Sequence, residues 1–162
     1  MAATYEPIAT TTLGSAQSSV TFSSITGIYT DIILVAQPLK STSGGGTIRL
    51  QVNSDTGTNY SYLRLFQENN TTYSDKGSNQ SFFTAFWNGD SVGNSLIFNF
   101  QNYSNSTTYK TIVGRSGNAS AITGELASLW RNTNAITSIY VYNDGGNFNT
   151  GSTFTLYGIK AA

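Results

Sequence analysis

The sequence predicts an all-β fold, a β-sandwich or jelly roll of about 8–11 short antiparallel strands, forming a single domain over residues 1–162. Three observations carry this. Apolar and polar residues alternate with a period of two over short runs, as in half-buried strands. Clusters of Asn, Gly, Asp and Ser punctuate those runs every roughly eight to fifteen residues, too often for helices of ordinary length. The composition is the third: Ser, Thr, Asn and Gly supply 76 of 162 residues, yet ten Tyr, nine Phe and two Trp sit among them. Disordered chains are poor in aromatic and β-branched residues, so this one is expected to order. A domain of this length buries roughly 70% of its unfolded surface, enough for a core without covalent staples.

Thr4 to Leu13 reads as a first strand, confined by Pro7 to a sheet edge or a strand start. Gly14-Ser15-Ala16-Gln17 turns the chain into Ser18–Ser23, where Val20 and Phe22 share a face. Thr30–Leu39 is apolar on both faces through Ile32-Ile33-Leu34-Val35-Ala36. Such a run is expected to be covered on both sides, by a second sheet or a neighbouring subunit. Gly46–Leu65 reads as a strand-turn-strand hairpin: Ile48, Leu50 and Val52 oppose Thr47, Arg49, Gln51 and Asn53, and Leu63 and Leu65 follow the turn at 53–59. Gln67–Gln80 lacks any apolar period and reads as the longest loop, the usual place for binding function. Ser81–Trp87 and Val92–Gln101 flank Asn88-Gly89-Asp90, the pairing favoured in a type I′ hairpin turn. Thr108–Ser116, Ala121–Arg131, Ile136–Tyr142 and Ser152–Lys160 complete the set, with a strand preferred to a helix at Gly124–Arg131. No repeat of fixed period is visible.

Eight basic and eight acidic residues balance, and no basic cluster offers a track for phosphates, so nucleic acid is not expected as a partner. With no cysteine there is neither a disulfide framework nor a thiolate metal site. With no histidine, the commonest general base and every Ser-His or Cys-His arrangement are excluded. Met1-Ala2-Ala3-Thr4-Tyr5 has no basic or apolar signal region and no run is long enough to span a membrane, so no membrane partner is expected.

Any hydrolytic reading rests on carboxylates, and Asp55, Glu68, Asp75 and Asp90 fall in segments that could share one end of a sandwich. A glycosidase needs two such groups about 5–9 Å apart. Acids in Asx-rich turns more often bond their own backbone, and that reading is preferred; no enzyme, cofactor or metal is expected. A calcium site from Asp55, Asp90 or Asp144 lacks the ligand spacing of a known loop. Trp87, Trp130, Tyr60, Tyr62, Tyr140 and Tyr142 could give flat faces for glycan rings, and of these Tyr60, Tyr62, Trp87, Tyr140 and Tyr142 are the candidate binding residues, either for a protein interface or for glycans. For the tyrosines core or interface is favoured over sugar.

Patterned segments run through nearly the whole chain: Thr11-Thr12-Leu13-Gly14-Ser15, Val20-Thr21-Phe22-Ser23-Ser24-Ile25, Tyr29-Thr30-Asp31-Ile32-Ile33-Leu34, Asp55-Thr56-Gly57-Thr58-Asn59-Tyr60-Ser61, Asn147-Phe148 and Ser152-Thr153-Phe154-Thr155-Leu156-Tyr157-Gly158-Ile159. On these segments the chain resembles a family of small all-β virion proteins of tailed bacteriophages, cyanophages and marine phages among them. It departs at Thr26-Gly27, where similar sequences carry a proline. The resemblance implies a jelly-roll-like structural protein of the particle, assembled as a homo-trimer and located on the capsid surface or alternatively the tail. Its partner would be the major capsid protein or another virion protein, which it would decorate or cement. A tail or fibre module that binds host glycans is the alternative. No catalytic residue comes with the resemblance.

Overall fold

The computed structural model describes residues 5–39, 41, 46–87, 93–118 and 122–160. Twelve strands follow in chain order: β1 (Tyr5–Thr12), β2 (Ser19–Phe22), β3 (Asp31–Leu39), β4 (Thr47–Val52), β5 (Tyr60–Glu68), β6 (Thr71–Gln80), β7 (Phe83–Trp87), β8 (Asn94–Gln101), β9 (Lys110–Asn118), β10 (Ile122–Trp130), β11 (Ile139–Asn143) and β12 (Thr153–Ile159). They form an eight-stranded sheet, ordered β1-β12-β3-β8-β9-β10-β5-β6, and a four-stranded sheet, ordered β2-β11-β4-β7. Every ladder is antiparallel. The fold is therefore a β-sandwich, with no helix among the described residues.

The period-two pattern explains the core. Ile48, Leu50 and Val52 of β4, with Ile139 and Val141 of β11, point inward and pack in one cluster with Ile32, Leu34 and Ala36 of β3 and Leu96, Phe98 and Phe100 of β8. Phe98 owes its seat to Gly114 opposite it on β9, where an added Cβ would fall 2.5 Å from the ring. Trp130, Tyr60 and Phe83 fill the β5–β10 end, and Tyr60 meets Phe83 edge-on at 4.7 Å. The other end is closed by Phe148 against Phe154. Ile33 and Val35, on the outer face of β3, lie under no second layer among the described residues. Ile33 is instead screened by its cross-strand neighbours Tyr157 and Asn99.

Three expectations change. Gly46–Leu65 is not a hairpin: β4 belongs to the small sheet and β5 to the large one, so the turn between them crosses the sandwich. Gln67–Gln80 is not a loop. It is the end of β5 and the whole of β6, joined by a two-residue turn in which Asn69 and Asn70 both have positive φ (47° and 68°). Asn tolerates that region far better than most residues, which makes this pair a type I′-like hairpin signal. It went unread because β6 is largely exposed on both faces and so carries no apolar period. The Asn88-Gly89-Asp90 turn lies outside the described residues, but its flanking strands β7 and β8 sit in different sheets and do not pair.

Candidate functional site

The outer face of the small sheet gathers the aromatic candidates that remain on the surface. In β11 the inward residues Ile139 and Val141 alternate with outward, half-buried Tyr140 and Tyr142, so both tyrosines share one face. Their rings stack with centroids 5.1 Å apart and planes 23° apart. Register places Gln51 and Arg49 of β4 beside them on one flank, and Thr21 and Ser19 of β2 on the other. Arg49 lies with its guanidinium carbon 4.0 Å above the Phe82 ring and pairs with Asp144 at 2.8 Å. Asp144 is itself fixed, accepting from the Thr47 backbone N–H at 2.6 Å. The Gln51 amide donates to the Ser81 carbonyl at 2.9 Å. Burial pushes the Tyr142 hydroxyl up from its ordinary pKa, against the pull of Arg49. The face is thus a rigid plate of rings and a neutralised ion pair, rimmed by hydroxyls and amides.

Because the tyrosine rings lie against each other, they offer edges and hydroxyls more than free faces. That geometry suits contact with a broad protein surface better than stacking of a sugar ring. Arg49 and Phe82 are members that the sequence does not single out, and Asp144, which it offers only as a calcium ligand, joins them here as the ion-pair partner of Arg49. Arg49 was legible as an outward residue, but its meeting with Phe82 and Asp144 depends on strand order, which periodicity does not carry.

The other aromatic candidates separate. Tyr60 is fully buried, and its hydroxyl donates to the Asp55 carbonyl at 2.8 Å and accepts from the Val52 N–H at 3.2 Å, so it is a core residue. Tyr62 lies on the large sheet, half-buried over Gly77, where an added Cβ would fall 2.6 Å from its ring. The Arg64 guanidinium lies 5.6 Å from that ring. The Trp87 side chain lies outside the described residues.

The turn after β4 is held by its own carboxylate. Asn53 and Ser54 have positive φ (53° and 54°), and the Asp55 N–H closes the turn on the Val52 carbonyl at 2.9 Å. The Asp55 carboxylate then accepts from the Gly57 N–H at 2.8 Å, the Asn59 amide at 2.9 Å and the Trp130 indole N–H at 2.7 Å. Partial burial raises its pKa, but these three donors outweigh burial and leave it below the ordinary value. Asn53 extends the clamp, donating to Ala135 and accepting from the N–H groups of Thr137 and Ser138. The Asp55 carboxylate therefore holds the turn and ties it to β10.

Four further acids are similarly occupied. Asp75 pairs with Arg64, Glu6 with Lys160 at 2.9 Å, Glu125 with Arg115 at 3.1 Å, and Asp31 accepts from the Asn102 N–H at 2.6 Å. Asp75 and Glu68 lie on the β5–β6 hairpin, Asp55 lies at the turn after β4, and Asp90 is outside the described residues. Among the described residues no three acidic side chains come together as a metal cage. Lys110 is buried with no carboxylate partner among the described residues: its ammonium donates to the carbonyls of Thr108 and Thr133 at 2.6 and 3.0 Å, and burial lowers its pKa. Comparison with known proteins finds no matching family model and no matching curated sequence.

Proposed function

We propose that this chain is a non-enzymatic structural protein of a tailed-phage particle, a capsid decoration or cement protein that binds across capsomers through the outer face of its small sheet. The observation that carries the reading is the plate formed by Tyr140, Tyr142 and the Arg49–Phe82 stack. Tyr, Phe and Arg are the residues enriched at protein interfaces and at their energetic centres. The Arg49–Asp144 ion pair in the plate is satisfied within the chain, so docking there strands neither of these two charges. Around it the Ser, Thr, Asn and Gln side chains form hydrogen bonds and water bridges that respond weakly to salt. The family resemblance supports the same reading.

A protein that binds only the assembled shell stabilises it by mass action. Particles lacking the protein are expected to lose DNA at a lower temperature, and adding back the wild-type chain, but not Tyr140→Ala/Tyr142→Ala, restores the higher value. Equal thermal stability with and without the protein refutes the cement role. The same tyrosine pair supports a second reading, a tail-associated module that binds host glycans. Retention on a glycan array, with antibody labelling on the tail rather than the head, would select it.

A further inference from the structure

We propose that the opposite face of the sandwich, the outer face of the eight-stranded sheet, is where a second copy of this chain docks, about a twofold axis running parallel to the strands between β9 and β10. This face exposes large apolar side chains that the fold does not need outside: Leu63 and Leu65 are each 56% exposed, Ile97 41% and Val113 38%. Together they line an open hollow of about 550 Å³. An exposed apolar cluster of this kind marks an interaction surface.

The cross-strand register says what fits it. One row reads Ile97, Arg115, Glu125, Leu65 across β8, β9, β10 and β5. Its neighbour reads Asn99, Val113, Ala127, Leu63. A half-turn about an axis midway between Arg115 and Glu125 reverses each row. Ile97 then meets Leu65 of the second copy, Arg115 meets its Glu125, and Val113 meets its Ala127. The first row is its own complement, apolar on apolar and cation on anion, which is the requirement of an isologous interface. The Arg115–Glu125 pair has side chains 76% and 68% exposed, and so open a pair adds little to the stability of the fold. Between two copies it becomes a ring of four alternating charges.

The size also suffices. The axis between β9 and β10 overlays the six strands β3, β8, β9, β10, β5 and β6 of the two copies, and five spacings of about 4.8 Å by eight residues of about 3.4 Å give a face of roughly 650 Å² per copy, about 1,300 Å² in total and within the roughly 1,200–2,000 Å² of stable interfaces. The twofold differs from the trimer that the family resemblance implies, and it stands independently of the virion reading.

Analytical ultracentrifugation of the full chain over a concentration series tests this. The wild type is expected to be a dimer, and Leu65→Lys a monomer. Arg115→Glu and Glu125→Arg alone should each weaken self-association at least tenfold. An equimolar mixture of those two variants should return to within about threefold of wild type, since each then offers the charge the other needs. Circular dichroism and unfolding midpoints report whether each variant is folded, and Ile97→Lys replaces Leu65→Lys if the latter is not. A monomeric or trimeric wild type, a folded lysine variant that still dimerises, or a mixture no tighter than its single components overturns the proposal.

Discussion

Replacing Asp55 by Ala tests whether the turn that joins the two sheets is held as described. The carboxylate accepts three hydrogen bonds, at 2.7, 2.8 and 2.9 Å. Bonds to a charged acceptor contribute about 1.5–3 kcal/mol each, and such neighbouring terms do not add fully. Trp130 is 1% exposed, so its indole N–H would lose its acceptor while buried, which costs a further 1–3 kcal/mol or so. A net loss of about 3 kcal/mol at pH 7 follows. Asp55→Asn should lose less, because its amide oxygen in the Oδ2 position still accepts from Trp130 and Asn59 while its NH₂ faces the Gly57 N–H. The depressed pKa adds a pH signature. Above the unfolded carboxylate's pKa the contribution is fully present, and it is lost as pH falls through the lower folded value. Urea titrations followed by tryptophan fluorescence, at pH 7 and pH 3, should therefore show the gap between wild type and Asp55→Ala narrowing in acid. A loss below about 1 kcal/mol at pH 7, or a gap unchanged at pH 3, would refute the reasoning.

Tyr60→Phe should cost about 1–2 kcal/mol at neutral pH through its lost hydroxyl bonds. Because burial raises the Tyr60 pKa, the wild type loses stability as pH rises above the ordinary tyrosine value, and the variant should lose less of it in an alkaline denaturation series. At the β5–β6 turn, Asn70→Gly should stabilise by about 0.5 kcal/mol and Asn70→Val should destabilise by about 1 kcal/mol, given the positive φ there; equal midpoints for both would contradict the turn. Gly114→Ala presses a methyl on the Phe98 ring and should cost about 1–3 kcal/mol in thermal or urea unfolding, whereas the same change at the unobstructed Gly14 should not.

Local chemistry made the strands legible and left the sheets obscure. Alternation at Ile48-Leu50-Val52 or Leu96-Phe98-Phe100 shows which residues turn inward, but says nothing of which strand lies beside them. That is why β4 and β5 read as a hairpin although they lie in different sheets. The β6 strand was missed for the opposite reason, since an edge strand exposed on both faces has no burial pattern to print on the sequence. At the candidate site, the shared face of Tyr140 and Tyr142 was readable from their spacing of two. Their neighbours Arg49, Phe82 and Asp144 come from distant segments. The Asp55 turn was recognisable as backbone geometry, whereas its anchor Trp130, 75 positions on, was not. Tyr60 and Tyr62 follow the same strand pattern, and only the sandwich's interior separates the buried ring from the half-buried one.

Imaging the intact phage particle by electron cryomicroscopy tests the functional account most directly. The account predicts density for the sandwich on the head, bridging capsomers with the Tyr140–Tyr142 face against the shell. Density confined to the tail, or a particle that does not contain the chain at all, would contradict it.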